Sequence, residues 1–193
     1  MKRSTIILII CVVVFVLFAV GLGSSIIKSY NKMIAAQEEV ESTLSNLDVM
    51  LQRRADLIPN LVSTVKGYAK HEIEALDKVT EARTKLINAN TVEEMSAANN
   101  QLTSSLKTLL LNVTENYPDL KASENFTNLT DELAGTENRI AVARRDYNAI
   151  VKSYNLLIKK FPNSILAGMF GFEKAIYFEA DEASTEVPNV SFE

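Results

Sequence analysis

The sequence predicts an all-α protein: an N-terminal transmembrane helix over residues 1–27, then an elongated antiparallel up-and-down bundle of four helices over residues 28–162. Three observations carry this expectation. Gly and Pro are scarce, at 6 and 4 of 193 residues, and Trp is absent. Ala, Leu, Glu, Asn and Lys are frequent, which favours helix over sheet. Ser4 to Ile27 carries no charge, and beyond it apolar residues recur at alternating steps of three and four, the pattern of packed helices.

The uncharged run spans 24 residues. At about 1.5 Å per residue it reaches roughly 36 Å, enough to cross a bilayer with some tilt. The rival is a cleaved signal peptide, with Lys2 and Arg3 as its basic start and Ala19, Gly21 and Gly23 near the cleavage site. Such peptides have an apolar core of roughly 7–15 residues. The run here is longer, so an uncleaved single-pass anchor is expected. Lys2 and Arg3 precede the span, and Lys28 and Lys32 follow it. The expected orientation keeps the N-terminus inside and the body extracytoplasmic.

The first seam runs through Tyr30, Met33, Gln37, Val40, Leu44, Leu47, Leu51, Arg54, Ile58, Leu61, Val65 and Tyr68. Pro59 interrupts it. Inside a helix, proline removes one hydrogen bond and crowds the carbonyl of Ala55. In the first turn of a new helix it costs little, and Asp56 precedes it as a candidate N-cap. A break at Ala55 to Ile58 is therefore expected. The alternative is one kinked helix and a long helical hairpin, because the seam keeps its phase through Pro59.

The second helix is expected to run to about Ala89, with Glu74–Lys78 and Glu81–Lys85 as i,i+4 pairs. Asn88 to Thr91 reads as a turn with a new cap. The third helix presents Val92, Met95, Leu102, Leu106, Leu109 and Val113, and Asn116-Tyr117-Pro118-Asp119 ends it. Ser123 can cap the fourth. Its seam runs from Phe126 through Leu129, Leu133, Thr136, Ile140, Ala143, Tyr147, Ile150, Tyr154 and Leu157 to Phe161, before Pro162. Residues 28–34 (KSYNKMI) and 152–158 (KSYNLLI) echo each other near the start of the first helix and the end of the last.

Antiparallel pairing of the first and last helices has a consequence. With residue 28 level with about residue 161, Arg53 and Arg54 face Asp131, Glu132 and Glu137. Arg54 falls on the seam, so it is expected to pair with Glu137 or Glu132, because arginine forks suit carboxylates in partly buried sites.

Residues 163–180 form an apolar segment expected to lie near the membrane; its uncharged run, Ile165 to Phe172, is too short to span a bilayer. It can enter the lipid interface, make a subunit contact or cap the base of the core. Residues 181–193 form an acidic tail, expected to be extended.

The chemistry is mostly excluded. The net charge is −4 and the cations are dispersed among acids, so no stripe for nucleic acid exists. The one cysteine, Cys11, lies in the apolar run. The one histidine, His71, begins HEIEA, which lacks the second ligand of a zinc-protease motif. Di-iron bundles need Glu-x-x-His pairs, which one histidine cannot supply. No phosphate loop or nucleophile elbow occurs. Arg139, Arg144, Arg145 and Asp146 could hold an anion, but interhelical pairing is the simpler reading. No catalytic, cofactor-binding or metal-binding residue is assigned, and neither a cofactor nor a small-molecule substrate is expected.

Several segments resemble one family. SYNKMI follows the N-terminal span, then LDVMLQRRADLIPNLVSTVKGYAKHE and VTEAR. Later come ENYPDLKASENFTNLTDEL, GTENRIAVARRDYN, YNLLIKKFPNSILAGMFGF and YFEA. Over residues 26–193 the chain resembles the LemA family, with RRADLIPNLV and TENRIAVARRDYN the most specific matches. The resemblance implies a bacterial inner-membrane protein with an N-terminal anchor and an antiparallel helical bundle. It implies no catalytic residues. Many relatives carry an aromatic such as tryptophan within the segment matching Gln37 to Leu47, where Ser42, Thr43, Ser45 and Asn46 are polar here.

The function expected from all this is a membrane-tethered, non-enzymatic scaffold or interaction protein. Its partners would be the lipid bilayer and either a second copy of the chain or another protein. The alternative is an accessory or regulatory subunit of a membrane enzyme or transporter.

Overall fold

A computed structural model describes residues 3–68 and 72–179, with side chains from Val12 onward. His71 and the acidic tail over 181–193 lie outside the described residues. The order is α1 (Arg3–Tyr68), α2 (Ile73–Ile87), α3 (Val92–Asn116), α4 (Pro118–Lys121), α5 (Glu124–Lys159) and α6 (Asn163–Phe170). An extended segment over residues 172–179 follows, and no strand occurs among the described residues.

The expected break at Ala55 to Ile58 does not occur. α1 continues through Pro59 to Tyr68. Asp56 is no N-cap; its carboxylate accepts from Gln52 at 3.0 Å on the exposed face. The carbonyl that proline leaves without a donor, that of Ala55, is taken by Arg83 of α2, whose Nε donates to it at 2.8 Å. The proline sits inside the helix because another helix supplies its missing bond.

The later boundaries follow local chemistry. Thr91 caps α3 in a reciprocal box: its hydroxyl accepts from the Glu94 N–H at 3.2 Å, and the Glu94 carboxylate accepts from the Thr91 N–H at 3.3 Å. Pro118 opens α4, and the Ser123 hydroxyl accepts from the Phe126 N–H at the start of α5. Gly171 ends α6 at φ 76°, a left-handed conformation that suits glycine. The pairs Lys78–Glu74 and Lys85–Glu81 form at 2.7 and 2.8 Å, both in solvent.

The chain forms two compact units. One comprises Met1–Glu41 with Ile150–Ala175, the other Ser42–Ala149 with Ile176–Glu193. In the second unit the C-terminal part of α1, α2, α3 and the N-terminal part of α5 follow in up-and-down order, with the one-turn α4 between α3 and α5. α2 and α3 are antiparallel, since Lys85 reaches Gln101 and Asn112 reaches Glu72. Leu51, Leu61, Leu76, Leu102, Leu109, Leu120 and Ile140 fill its core. In the first unit, Met33 and Val40 of α1 share the interior with Val151, Tyr154 and Ile158 of α5 and Ala167 of α6.

The seam expected on α5 slips near its end. Val151 and Ile158 are buried, while Ile150 and Leu157 are half-buried and Phe161 is exposed. A straight helix turns every 3.6 residues, so a strict heptad drifts off the core face.

Candidate functional site

The expected pairing of Arg54 is present. Arg54 is only 4% exposed, a costly place for a cation unless partners surround it. Its Nη1 stands 2.7 Å from Glu137 Oε2 on α5. The same nitrogen donates to Asn99 Oδ1 and Thr103 Oγ1 of α3, each at 2.9 Å. The Thr103 hydroxyl in turn donates to the Asn99 backbone carbonyl at 2.9 Å. Three helices of the second unit are thus fixed to one guanidinium. The Glu137 contact is an ion pair off the hydrogen-bond direction, and Arg54 Nε has no partner among the described residues. Burial pulls the guanidinium below its ordinary value and the Glu137 carboxylate draws it back up. It stays charged, as arginine does in proteins.

The other residues singled out in sequence do not converge on this group. Arg53, Asp131, Glu132 and Arg139 line an open hollow of about 310 Å³. Arg145 pairs with its neighbour Asp146 at 3.1 Å in solvent. Among the described residues, no group of three or more His, Cys, Asp or Glu side chains could hold a metal ion.

A second polar group joins the start of α2 to the end of α3. The Glu72 carboxylate accepts from Asn112 Nδ2 at 3.3 Å and from the Tyr117 hydroxyl at 3.4 Å. Desolvation and the nearby carboxylate push the Tyr117 phenol up.

Sequence reasoning missed how the segment over 172–179 is held. In the second unit, Asn148 grips the backbone of Phe178 at both ends: Nδ2 donates to the carbonyl at 3.0 Å, and Oδ1 accepts from the N–H at 2.9 Å. Tyr147 donates to the Ile176 carbonyl at 2.8 Å, and Ser96 to that of Glu179 at 2.8 Å. The Phe178 side chain is buried. In the first unit, Asn155 holds both backbone groups of Ala175 at 2.9 Å, and Tyr154 donates to the Glu173 carbonyl at 2.9 Å. The signal was the pair Tyr-Asn at 147–148, repeated seven residues later at 154–155. These contacts order a chain segment. Burial raises the Tyr147 and Tyr154 phenols, with Glu93 and Glu173 respectively adding to it.

In the first unit, α1 is exposed and apolar over Val12 to Ile27. Among the described residues it is the one helix long and apolar enough to cross a membrane. Just beyond that run, Tyr30 meets the rings of Phe170 and Phe172 edge-on, with centroids 4.9 and 5.8 Å away.

The sequence model described as the LemA family matches residues 43–192. The chain belongs to the LemA family. Among curated proteins, it is similar to the magnetosome proteins MamQ 1 and MamQ 2 of Paramagnetospirillum magneticum. Each is 29% identical over 196 residues, which cover 89% of this chain and 72% of the relative. It is also similar to the protein LemA of Metamycoplasma hominis, at 28% identity over 152 residues, covering 79% of this chain and 69% of that protein. As a LemA-family chain, it carries the segment RRADLIPNLV across the buried Arg54 and the internal Pro59.

Proposed function

We propose that this LemA-family chain is a membrane-tethered, non-enzymatic interaction protein. The observation that carries the reading lies within one helix. α1 holds both an exposed apolar stretch of transmembrane length and a seam of which Met33, Val40, Leu47, Leu51, Ile58, Leu61 and Val65 are buried. An exposed apolar run of this size costs too much in water and is stable in lipid. The polar groups described above serve to fix helices and one extended segment, which suits a body that presents surfaces. Relatives named for the magnetosome, a structure rather than a reaction, support the same reading. In this reading the anchor lies in the bacterial inner membrane and the body extends to the extracytoplasmic side. A second copy of the chain is the first partner to test, by native mass in nanodiscs.

Alkaline carbonate extraction of membranes tests the tether. The full chain stays in the pellet, and Val14→Arg with Leu17→Arg moves it toward the supernatant, because arginine at mid-bilayer is strongly disfavoured. Release of the unaltered chain by carbonate contradicts the reading.

A further inference from the structure

We propose that the end of the first unit next to the apolar run is a docking surface for an anionic bilayer. In this arrangement α6 lies in the headgroup layer and four lysines bind lipid phosphates. The proposal rests on the reading that α1 crosses the membrane.

The first argument is depth. Ile27 ends the uncharged run, and Tyr30 stands three residues on, about 4.5 Å along the helix axis. The rings of Phe170 and Phe172 are fixed against Tyr30. The headgroup layer on each side of the hydrocarbon core is roughly 5–7 Å deep. The C-terminal end of α6 is therefore held at headgroup level once the run fills the bilayer.

The second argument is exposure. Ile165 and Met169, four residues apart and so on one face of α6, are 57 and 72% exposed, and Phe161 in the turn just before the helix is 81% exposed, while Ala167 is buried. A helix with one buried small residue and an outward apolar row matches a helix lying in the lipid interface.

The third argument is charge. Lys28 and Lys32 of α1, Lys159 at the end of α5 and Lys160 just after it are all exposed. Lys32, Lys160 and Phe161 line one groove of about 670 Å³, which brings the cations of both helices together beside the apolar row. Glu39 lines the same groove about two turns beyond Lys32, and Glu38 and Glu41 lie at similar distances along α1. Glu173 sits beside Lys174. The end near the apolar run is thus basic, and each lysine near an anionic leaflet adds roughly fivefold in affinity.

The chain contains no Trp, so one introduced Trp reports alone. The full chain carrying Met169→Trp is placed in nanodiscs of phosphatidylcholine, with or without phosphatidylglycerol and with brominated acyl chains as quencher. The expected result is a blue-shifted emission quenched by brominated lipid, more strongly with phosphatidylglycerol. Changing Lys28, Lys32, Lys159 and Lys160 to Gln abolishes that dependence. A second reporter, Val16→Trp, checks the anchor in the same discs. Quenching at position 16 without quenching at 169 overturns the docking proposal alone. Quenching at neither overturns the anchor and the proposal with it. Equal quenching at 169 in both lipids overturns the lysine-phosphate contact. A blue shift at 169 that follows protein density and ignores brominated lipid assigns the face to a second copy and overturns the proposal.

Discussion

Arg83 Nε donates to the carbonyl of Ala55 at 2.8 Å, and this is the carbonyl that Pro59 leaves without a partner. One side chain from α2 replaces the backbone donor that α1 lacks, so a proline sits inside a helix of 66 residues.

The replacement is measurable as a coupling. Arg83→Leu is expected to cost about 1–2 kcal/mol of stability, the range for leaving a carbonyl short of its donor. In a Pro59→Ala background residue 59 regains its N–H, and the same change should cost under about 0.5 kcal/mol. Denaturant unfolding of the four variants checks this; equal costs in both backgrounds would disprove the compensation.

The Arg54 group gives an asymmetric expectation. Removing one partner of a buried pair costs about 3–5 kcal/mol. The Glu137 side chain is 40% exposed, so Glu137→Ala should cost less, about 2–3 kcal/mol. Glu132→Ala, in solvent on the same helix, should stay within about 0.5 kcal/mol. Adding Arg54→Met to Glu137→Ala should recover most of the loss, since the orphaned charge is gone. Chemical denaturation distinguishes these outcomes.

The two asparagine grips should act locally. Asn148→Leu strands both backbone groups of Phe178, and Asn155→Leu those of Ala175. Each is expected to cost about 2–3 kcal/mol. Hydrogen exchange should show protection lost at the Phe178 or Ala175 amide before the helices are affected. Unchanged protection would mean the segment is held by the buried Phe178 ring alone.

Alkaline pH should weaken the hold of Tyr147 and Tyr154, whose phenols are raised chiefly by burial. Unfolded tyrosine ionises near pH 10. Above that pH the unfolded chain holds fewer protons than the native one, so stability falls as pH rises. Their contribution is complete below about pH 10 and is lost as pH climbs through the raised native values. Thermal melts above this pH should fall less steeply for Tyr147→Phe with Tyr154→Phe than for the unaltered chain.

Much of this was legible in the sequence because it depends on periodicity. The seam placed Arg54 on a buried face, and antiparallel order brought it to Glu137. The turn at Asn88 to Thr91 and the cap at Ser123 were readable because their donors and acceptors are close in sequence. The continuity of α1 was not, because Arg83 lies 28 residues from the carbonyl it serves. The grip on residues 172–179 was hidden for a related reason. The Tyr-Asn pairs sit on a helix while their targets are backbone groups some 20 to 30 residues away, which side-chain pattern does not mark.

The most direct test of the membrane tether is a depth measurement on the full chain in nanodiscs. Spin labels are attached to Val16→Cys or Lys32→Cys, each with Cys11→Ser, and relaxed by oxygen or by a water-soluble nickel chelate. The expected result is oxygen access at position 16 and nickel access at position 32. Nickel access at position 16 would contradict the tether.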